Sequence, residues 1–405
     1  MDIRPYAPDT DFDTVRRIWR EVGWIDDSDG HKEGLEAFCS VGRGSVALMG
    51  GEAECFVHWT PGDIAHTGTL LPFAGITAVN TSRIARKQGF ATALTARALV
   101  EAIESGAAVA GLGIFDQGFY DRFGFGTAPY EHRYSFDPAS LRIDVPYRPP
   151  VRVGPDDWQA VHAALRSRMR THGTLTLEPP QMVQAEMKWT ESPFGLGYRD
   201  ENGSLTHFMY GKAKDEQGPY SIWHMAYRDG RQLLELFRLI RELGDQVASV
   251  VVMEPPEIQL QDLISQPFRQ RARSIRSEHE TVNRAGAFSQ LRILDLASCA
   301  AAHRWPGPAV SFDLTLDDPL ERIIPGAGIG GDHTVTVANP SSIEPGHRGS
   351  LPVMEATVNA FSRFWFGVRA ASSLAITDRL SAPPELLASL DEAVRLPRPS
   401  FGWFI

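Results

Sequence analysis

The chain of 405 residues carries a formal net charge of −10, with 43% apolar and 22% charged side chains. This length exceeds what one ordinary hydrophobic core supports, and the composition is that of a folded globular protein, so we expect two or three domains. The acidic balance argues against a nucleic-acid partner, whose binding depends on clustered lysine and arginine. It is compatible with cationic substrates such as amines.

The N-terminus, cysteines and histidines bear on location and metal binding. Residues 1–5 are followed by no apolar segment of a signal peptide, and no run approaches the ~18 apolar residues of a membrane span. We therefore expect a cytoplasmic protein without a membrane partner. The cysteines are too scattered for a disulfide framework, and the histidines show no metal-ligand spacing, so no metal is expected. These residues are Cys39, Cys55, Cys299, His31, His58, His66, His132 and His224.

The first segment alternates helical and strand patterns. Spacing of the apolar residues predicts helices, and β-rich runs bounded by glycine and proline predict strands. A helix that returns to a buried parallel strand is the βαβ unit of an α/β sheet. In chain order we predict helices at 12–22 and 33–39, strands at 45–49, 53–59 and 69–79, a helix at 91–105, a strand at 107–115, a helical turn at 118–125 and a closing strand at 130–136.

The second segment repeats this element order, and a third segment differs from both. For the second we predict a helix at 156–170, strands at 194–199, 204–210 and 220–227, a helix at 230–243 and a strand at 247–253. For the third we predict a helix at 291–301, strands at 310–316 and 333–337, and helices at 354–361, 362–369 and 385–394. The chain then runs into an apolar tail at 396–405.

A basic, glycine-containing loop lies between the strand at 69–79 and the helix at 91–105. It reads Arg86-Lys87-Gln88-Gly89-Phe90-Ala91. At a helix start the first N–H groups have no helical partner, and together with the helix dipole they form an anion site. Gly89 lets the backbone approach an anion closely, and Arg86 and Lys87 add positive charge.

This loop is similar to the Gln/Arg-x-x-Gly-x-Gly/Ala signature of the GNAT superfamily of N-acetyltransferases. The resemblance implies that the loop holds the pyrophosphate of acetyl-CoA and that the preceding strand polarises the thioester carbonyl through its main chain. The strand needs no particular side chain for this role, because main-chain N–H groups form the oxyanion hole. The implied cofactor-binding residues are Thr77, Ala78, Val79, Arg86, Lys87, Gln88, Gly89, Phe90, Ala91, Thr92, Phe115 and Asp116.

A second stretch, Phe119-Tyr120-Asp121-Arg122-Phe123-Gly124-Phe125, resembles the tyrosine-containing segment that lies near the CoA sulfur in these enzymes. Acetyl transfer to an amine expels a thiolate, which a nearby phenol can protonate. Tyr120 is therefore the candidate general acid. The alternative is a tyrosine that only packs within an aromatic cluster with Phe119, Phe123 and Phe125.

The three-part layout resembles the enhanced intracellular survival (Eis) family of acetyltransferases. The resemblance implies an α/β (α+β) fold class, with an acetyltransferase domain at 1–148, a degenerate second copy at 149–285 and a small α+β domain similar to sterol carrier proteins at 286–405. It also implies a homo-oligomer such as a hexamer. In that family the main-chain carboxylate of the last residue acts as general base, a role that falls here on Ile405.

The acceptor site has weaker sequence signals. The resemblance places Trp24, Asp26 and Asp27 beside the acceptor channel, although capping and turn formation explain the aspartates equally well. Our leading hypothesis is direct acetyl transfer from acetyl-CoA to a primary amine of the aminoglycoside, polyamine or lysine type. The alternatives are a CoA- or lipid-binding module without turnover and a transferase for longer acyl chains. In the binding-module alternative, the tail fills a cavity of the third domain.

Overall fold

The computed structural model describes residues 1–403 of the chain. Three β-sheets are built from the strands of this part. In chain order the strands are β1 (Asp2–Pro5), β2 (Arg43–Met49), β3 (Glu52–His66), β4 (Thr69–Thr81), β5 (Val109–Gly113), β6 (Gly126–Thr127), β7 (Glu131–Phe136), β8 (Val151–Arg152), β9 (Leu175–Leu177), β10 (Pro193–Arg199), β11 (Leu205–Ala213), β12 (Tyr220–Ala226), β13 (Val250–Met253), β14 (Val282–Gly286), β15 (Ser289–Ile293), β16 (Val310–Asp317), β17 (Gly331–Val337), β18 (Ser342–Pro345), β19 (Val353–Thr357) and β20 (Leu380–Ser381).

The α-helices of the described chain cover the sheets and connect their strands. They are α1 (Pro8–Glu21), α2 (Asp29–Cys39), α3 (Phe90–Glu104), α4 (Gln117–Asp121), α5 (Trp158–Ser167), α6 (Pro180–Trp189), α7 (Gly230–Glu242), α8 (Pro267–Ser274), α9 (Leu296–Ala302), α10 (Val358–Trp365), α11 (Ala371–Thr377) and α12 (Pro384–Ala393). α2 packs against α6, and α5 also packs against α6. None of the helices within residues 1–403 is both long and apolar enough to cross a membrane.

The first two sheets are mixed and share one design. The first has the order β1-β2-β3-β4-β5-β15-β6, with β9 paired to β3, and β4 and β5 are parallel. The second has the order β14-β7-β13-β12-β11-β10-β8, and β12 and β13 are parallel. In each parallel pair a helix, α3 or α7, returns the chain to the sheet. This is the βαβ connection that the sequence predicts, and the mixed α/β fold class is confirmed.

The first two sheets exchange a strand with each other. β7, predicted to close the first sheet, pairs with β13 and β14 of the second. β15, from much later in the chain, enters the first sheet between β5 and β6. Each sheet therefore contains a strand from beyond the segment that supplies most of its neighbours.

The third sheet has the order β18-β17-β16-β19-β20 and packs with α9 to α12. A single cluster of buried apolar side chains includes residues of all three sheets, among them Phe73, Tyr210 and Phe312. This shared cluster joins the three parts of the molecule, and two further clusters pack beside it, so the burial of each sheet depends partly on the others.

Three predicted elements were wrong. Residues 291–301 form the end of β15 followed by α9 rather than one helix, because Leu291, Arg292 and Ile293 are all buried in a central strand. Residues 354–361 begin as β19 and become α10 only after Thr357, whose side chain accepts a hydrogen bond from the Ala360 N–H. The helix predicted at 362–369 is only the end of α10, which stops at Trp365.

Candidate active site

The site begins where two parallel strands separate. β4 and β5 pair only at residues 73–75 and 109–111. β4 continues to Thr81, so beyond Gly75 it has no β5 partner. The main-chain N–H and C=O groups on this side are available to a ligand, because no neighbouring strand satisfies them.

A bulge lies in β4 at the separation. The register between β3 and β4 shifts, so that Ala78 and Val79 oppose the single β3 residue Val57. Ala78 has a φ of 52°, a left-handed conformation that costs a non-glycine residue about 1–3 kcal/mol. Thr77, Ala78 and Val79 line a cavity of about 320 Å³. The three strand residues predicted from the family resemblance therefore lie together at one cavity wall.

The start of α3 offers unpaired hydrogen-bond donors. Gly89 is the N-cap residue with a φ of 82°, a conformation that favours glycine, and it has no side chain with which to cap the helix. The N–H groups of Phe90, Ala91 and Thr92 make no hydrogen bond with the described part of the chain. These donors and the positive end of the helix dipole create a site for an anion.

The side chains before α3 add positive charge to this site. Arg86, Lys87 and Gln88 are exposed, so their polar groups are accessible to a ligand. Arg83, earlier in the same loop, is engaged instead, because its guanidinium donates to the main-chain oxygen of Glu21 at 3.0 Å. Free N–H groups, a glycine cap and accessible cations fit the pyrophosphate of CoA.

Tyr120 lies on α4 and lines the same cavity as the bulge. Its ring is buried and packs edge-on against Phe119, with the ring centroids 5.0 Å apart. Burial raises the pKa of Tyr120 to about 12, and the neighbouring Asp116 carboxylate adds to the shift. The phenol therefore stays protonated at neutral pH and has a proton to donate.

A side chain from the third sheet region holds the turn that carries Tyr120. The Asn359 amide on α10 donates to the main-chain oxygens of Asp121 at 2.8 Å and of Phe125 at 2.7 Å. Gln290 on β15 donates to the Asp121 carboxylate at 2.8 Å. These contacts fix the main chain on both sides of the segment that follows Tyr120.

A buried ion pair supports the same turn. Arg292 and Asp318 have fully buried side chains, and their nearest N and O atoms lie 2.6 Å apart. Arg292 also donates to the main-chain oxygen of Phe123, and a Cβ at Gly124 would overlap its guanidinium. Burial acts to raise the pKa of Asp318, but the hydrogen bonds and charge of Arg292 outweigh it and lower that pKa below its ordinary value. The pair is therefore charged at neutral pH.

A larger cavity of about 610 Å³ adjoins the first. It extends into the second sheet, where β12 and β13 pair only at residues 220–222 and 250–252 and then separate. Because the two cavities share wall residues, a group bound in one can meet a group bound in the other. The shared wall residues are Trp24, Phe38, Thr77 and Trp189.

The described part of the tail ends beside the larger cavity. The main-chain oxygen of Phe401 accepts a hydrogen bond from the Leu175 N–H at 2.9 Å. Trp403 is buried, and its indole N–H donates to Glu186 at 3.2 Å. Glu186 lines the larger cavity. Ile405, the predicted base, lies outside the described residues.

The residues predicted to bind the acceptor lie in different places. Trp24 lines both cavities, whereas Asp26 and Asp27 line neither. Asp26 accepts a hydrogen bond from the Ser28 N–H at 2.8 Å, and Asp27 forms an ion pair with Arg16 at 3.2 Å. These contacts are those of a turn, and a role of the two aspartates in acceptor binding stays a prediction.

Phe115 and Asp116, the last two predicted cofactor-binding residues, lie at the entrance to α4. Phe115 is 86% exposed and lines the smaller cavity. The Asp116 carboxylate caps α4 by accepting a hydrogen bond from the Phe119 N–H at 3.3 Å. Asp116 therefore has a structural contact that is independent of any ligand.

Two polar residues of the larger cavity were missed in the sequence. Glu186 lies on α6, a helix that we did not predict, and His224 lies on β12. The Nε2 atom of His224 is 2.7 Å from a carboxylate oxygen of Glu186. The apolar spacing of residues 180–189 could have indicated the helix, but no local pattern marks its contact with β12 or with the tail.

Comparison with known proteins agrees with this geometry. Residues 2–128 match the acetyltransferase (GNAT) domain family. No curated protein sequence matches the chain. Among the described residues no group of three or more His, Cys, Asp or Glu side chains could hold a metal ion.

Several solved structures share the fold along the whole chain. A probable N-acyltransferase from Enterococcus faecalis is 15% identical with a TM-score of 0.80, covering 100% of this chain and 99% of that one. Eis1 from Mycobacterium abscessus is 16% identical with a TM-score of 0.77, covering 100% of both chains. A GCN5-related N-acetyltransferase from Kribbella flavida is 19% identical with a TM-score of 0.76, covering 100% of this chain and 98% of that one.

The family match covers the separated strands, the loop before α3 and the turn that carries Tyr120. At these identities the structural likeness establishes the fold, and the family match adds the kind of domain. Residues 2–128 are an acetyltransferase (GNAT) domain, and the chain is an acetyltransferase enzyme.

Proposed function

We propose that this enzyme transfers the acetyl group of acetyl-CoA to a primary amine by direct attack within a ternary complex. The observation that carries the proposal is the meeting of two cavities at Thr77. One cavity is lined by the β4 bulge and Tyr120, and the other extends into the second sheet. A donor and an acceptor can therefore bind from different sides and meet without a covalent enzyme intermediate.

The chain's own groups account for each part of the proposed transfer. The loop before α3 binds the pyrophosphate through the N–H groups of Phe90, Ala91 and Thr92, with Arg86 and Lys87 beside it. Main-chain groups at the β4 bulge orient the thioester carbonyl and stabilise the oxyanion. The amine nitrogen forms a bond to the acetyl carbon, the carbon–sulfur bond breaks, and Tyr120 protonates the departing thiolate.

The amine must also lose a proton to a base. The family resemblance assigns this role to the main-chain carboxylate of Ile405, and we retain it as part of the proposal. The position of Trp403 supports it, because the described tail ends at Glu186 in the wall of the larger cavity. The base then passes the proton to solvent, and Tyr120 is reprotonated after the thiol leaves.

The position of the tail also favours turnover over a binding module without catalysis. In the alternative function the tail would fill a cavity of the third domain. Instead, Gly402 accepts a hydrogen bond from Arg168 at 3.3 Å, and Phe401 pairs with Leu175 of β9. Both partners lie outside the predicted third domain.

A thiol-release assay with acetyl-CoA and a panel of amines tests the proposal. Tyr120→Phe should lower kcat by about 10²–10⁴-fold, the usual contribution of a general acid, while the KM for acetyl-CoA changes little. Tyr147→Phe is a matched control, because Tyr147 is 46% exposed and lines neither cavity. Unchanged turnover in the Tyr120 variant would remove this residue from the mechanism.

A further inference from the structure

Three indole rings line the larger cavity. Trp24, Trp189 and Trp223 line it, together with apolar side chains from α6, β12 and β13. Those apolar residues are Met182, Ile222, Val251 and Met253. A surface of this kind binds an aromatic or extended apolar group by burying it and by edge-to-face ring contacts.

Ring contacts hold part of this aromatic wall in place. Trp19 packs against Trp24 and Trp189, with ring centroids 5.1 Å and 5.4 Å apart. Trp189 also packs against Phe38 at 5.8 Å, and its indole N–H donates to the main-chain oxygen of His31 at 3.3 Å. The rings are therefore ordered before a ligand arrives, which lowers the entropy cost of binding.

The charges of the cavity are balanced rather than strongly negative. Its charged lining consists of Glu186, Glu191, Lys212 and Arg133. Glu191 is already paired with Lys212 at 2.6 Å, and Arg133 lies over the ring of Phe288 at 4.6 Å. A substrate with several positive charges would meet two cations and two carboxylates, of which Lys212 and Glu191 already neutralise each other.

Glu186 is the acidic group best suited to a single ammonium. Its carboxylate contacts the Trp403 indole N–H and the His224 ring, and it lines the cavity. An ammonium close to this carboxylate would also face the nearby indole rings, which attract a cation through the ring quadrupole. The cavity thus offers one negative position within an apolar, aromatic surface.

We propose that the acceptor is a primary monoamine carried on an aromatic body, rather than a polyamine or an aminoglycoside. This inference rests on the proposed acetyl transfer and sharpens its substrate class. The amino group lies towards Thr77, where the two cavities meet, and Glu186 provides the negative charge in the wall of the larger cavity. The aromatic body lies against Trp223 and the wall formed by Trp24 and Trp189.

Matched amines test the substrate class directly. We expect kcat/KM for 2-phenylethylamine to exceed that for spermidine by about tenfold or more, as expected for a hydrophobic recognition energy of about 1.4 kcal/mol. Ethylamine, which has the amino group without the ring, should fall below 2-phenylethylamine by a similar factor. Higher kcat/KM for spermidine or kanamycin than for 2-phenylethylamine would overturn the inference and leave acetyl transfer intact.

A charge variant tests the same inference from the side of the protein. Lys212→Gln removes a cation from the cavity and releases Glu191, so the ratio of kcat/KM for spermidine to kcat/KM for 2-phenylethylamine should rise about three- to tenfold. Lys214→Gln is the matched control, since Lys214 pairs with Glu278 and does not line the cavity. Equal effects of the two variants on spermidine would contradict the charge argument.

An aromatic variant completes the set. Trp223→Ala should raise the KM for 2-phenylethylamine about fivefold or more and leave the KM for acetyl-CoA unchanged, because Trp223 lines only the larger of the two cavities. Phe268→Ala, at a residue that is 73% exposed on α8, is the control. If acetyl-CoA binds but no amine of the panel releases thiol, the proposed function fails, a result distinct from a changed order among the amines.

Discussion

The helices α3 and α7 occupy equivalent positions in their sheets, but their N-termini differ in what they leave open. Each follows the first strand of a parallel pair and returns the chain to the second strand. α3 begins after Gly89, which has no capping side chain. α7 begins after Asp229, whose carboxylate accepts a hydrogen bond from the Gln232 N–H at 2.9 Å. At the N-terminus of α7 the Asp229 carboxylate therefore accepts a helix N–H, whereas the N-terminus of α3 leaves its N–H groups free for a ligand.

The separated strands differ in a corresponding way. Beyond the short pairing of β4 and β5, the first cavity is lined by the main-chain bulge of β4 and by the phenol of Tyr120 on α4. Beyond the pairing of β12 and β13, the second is lined by the β12 side chains Trp223 and His224. Main-chain donors are sufficient to bind a thioester, because the donor is the same in every reaction. Side chains can select one acceptor among many, because they differ in shape and polarity. The same topology thus supplies a donor site in one sheet and, in our proposal, an acceptor wall in the other.

Among the tests of this comparison, the largest effect is expected when α3 is given the cap of α7. Gly89→Asp places a carboxylate at the free N–H groups and forces a non-glycine residue to a φ of 82°. We expect the Kd for CoA to rise by about 100-fold or more, which corresponds to about 2.7 kcal/mol. Isothermal titration calorimetry with CoA measures the change.

Gly68→Asp is the matched control for backbone strain. Gly68 has a φ of 85° in the exposed β3–β4 turn, and no atom within 4 Å would meet an added Cβ. This variant should bind CoA as the unaltered protein does. Normal CoA affinity in Gly89→Asp would mean that the pyrophosphate does not bind at α3.

The turn that carries Tyr120 provides the second test, because in our proposal the general acid lies beside the first sheet and has no counterpart beside the second. Asn359→Ala removes two hydrogen bonds to the main chain of this turn. We expect kcat to fall about tenfold with little change in the KM for acetyl-CoA, as expected when a catalytic group is displaced but the donor site is intact. Steady-state thiol release measures both constants.

Asn202→Ala is the control for an exposed asparagine outside the site. Asn359→Ala is also combined with Tyr120→Phe. If Asn359→Ala still lowers kcat tenfold in this background, Asn359 acts independently of the phenol. Non-additive losses in the double variant would support positioning of Tyr120.

The pH dependence of turnover is expected to change less. A phenol with an ordinary pKa of about 10 is half ionised at pH ~10 and loses half of its acid form. Because burial raises the pKa of Tyr120 to about 12, its acid form persists, and kcat should fall less than twofold between about pH 8 and pH 10. A decline with an apparent pKa near 10 would indicate that an unshifted group supplies the proton.

The smallest effect is expected for the reverse exchange at α7. Asp229→Gly removes the helix cap and should lower the free energy of unfolding by only about 0.3 kcal/mol, because glycine is itself a tolerated N-cap residue; urea denaturation measures the change. We expect CoA stoichiometry to remain unchanged, because the short connection between β12 and α7 contains no counterpart of the basic loop 86–89. A second bound CoA would show that the cap alone blocks the second sheet.

The sequence predicted the secondary structure around the smaller cavity better than the structure around the larger cavity. The loop 86–92, α3 and the short helix with Tyr120 depend on residues within about fifty positions of one another, so local periodicity and one motif were sufficient. The strand β15 was predicted as a helix because its residues are buried on both faces. Arg292 looks polar in sequence, yet its partner Asp318 and the edge of β5 bury it completely.

The larger cavity, which is the proposed acceptor site, depends on contacts between distant parts of the chain. Glu186 meets Trp403 across 217 positions, and no spacing rule reports such a pair. Asp26 and Asp27 were predicted to lie beside an acceptor channel. Their hydrogen bond and ion pair are contacts that stabilise a turn. A local sequence pattern can predict a turn or the start of a helix. It cannot predict the wall of a cavity between two sheets, because residues that are distant in sequence form that wall.

The exchange of β7 and β15 sets a limit on how this protein can be divided or recombined. A fragment that ends near residue 148 would retain β7 without its partners and would lack β15, leaving the edge of β5 open. A fragment that starts there would lack the strand on which β13 and β14 pair. Expression of either half alone should therefore yield aggregation-prone material, and the two sheets must be inherited, expressed and engineered as one piece.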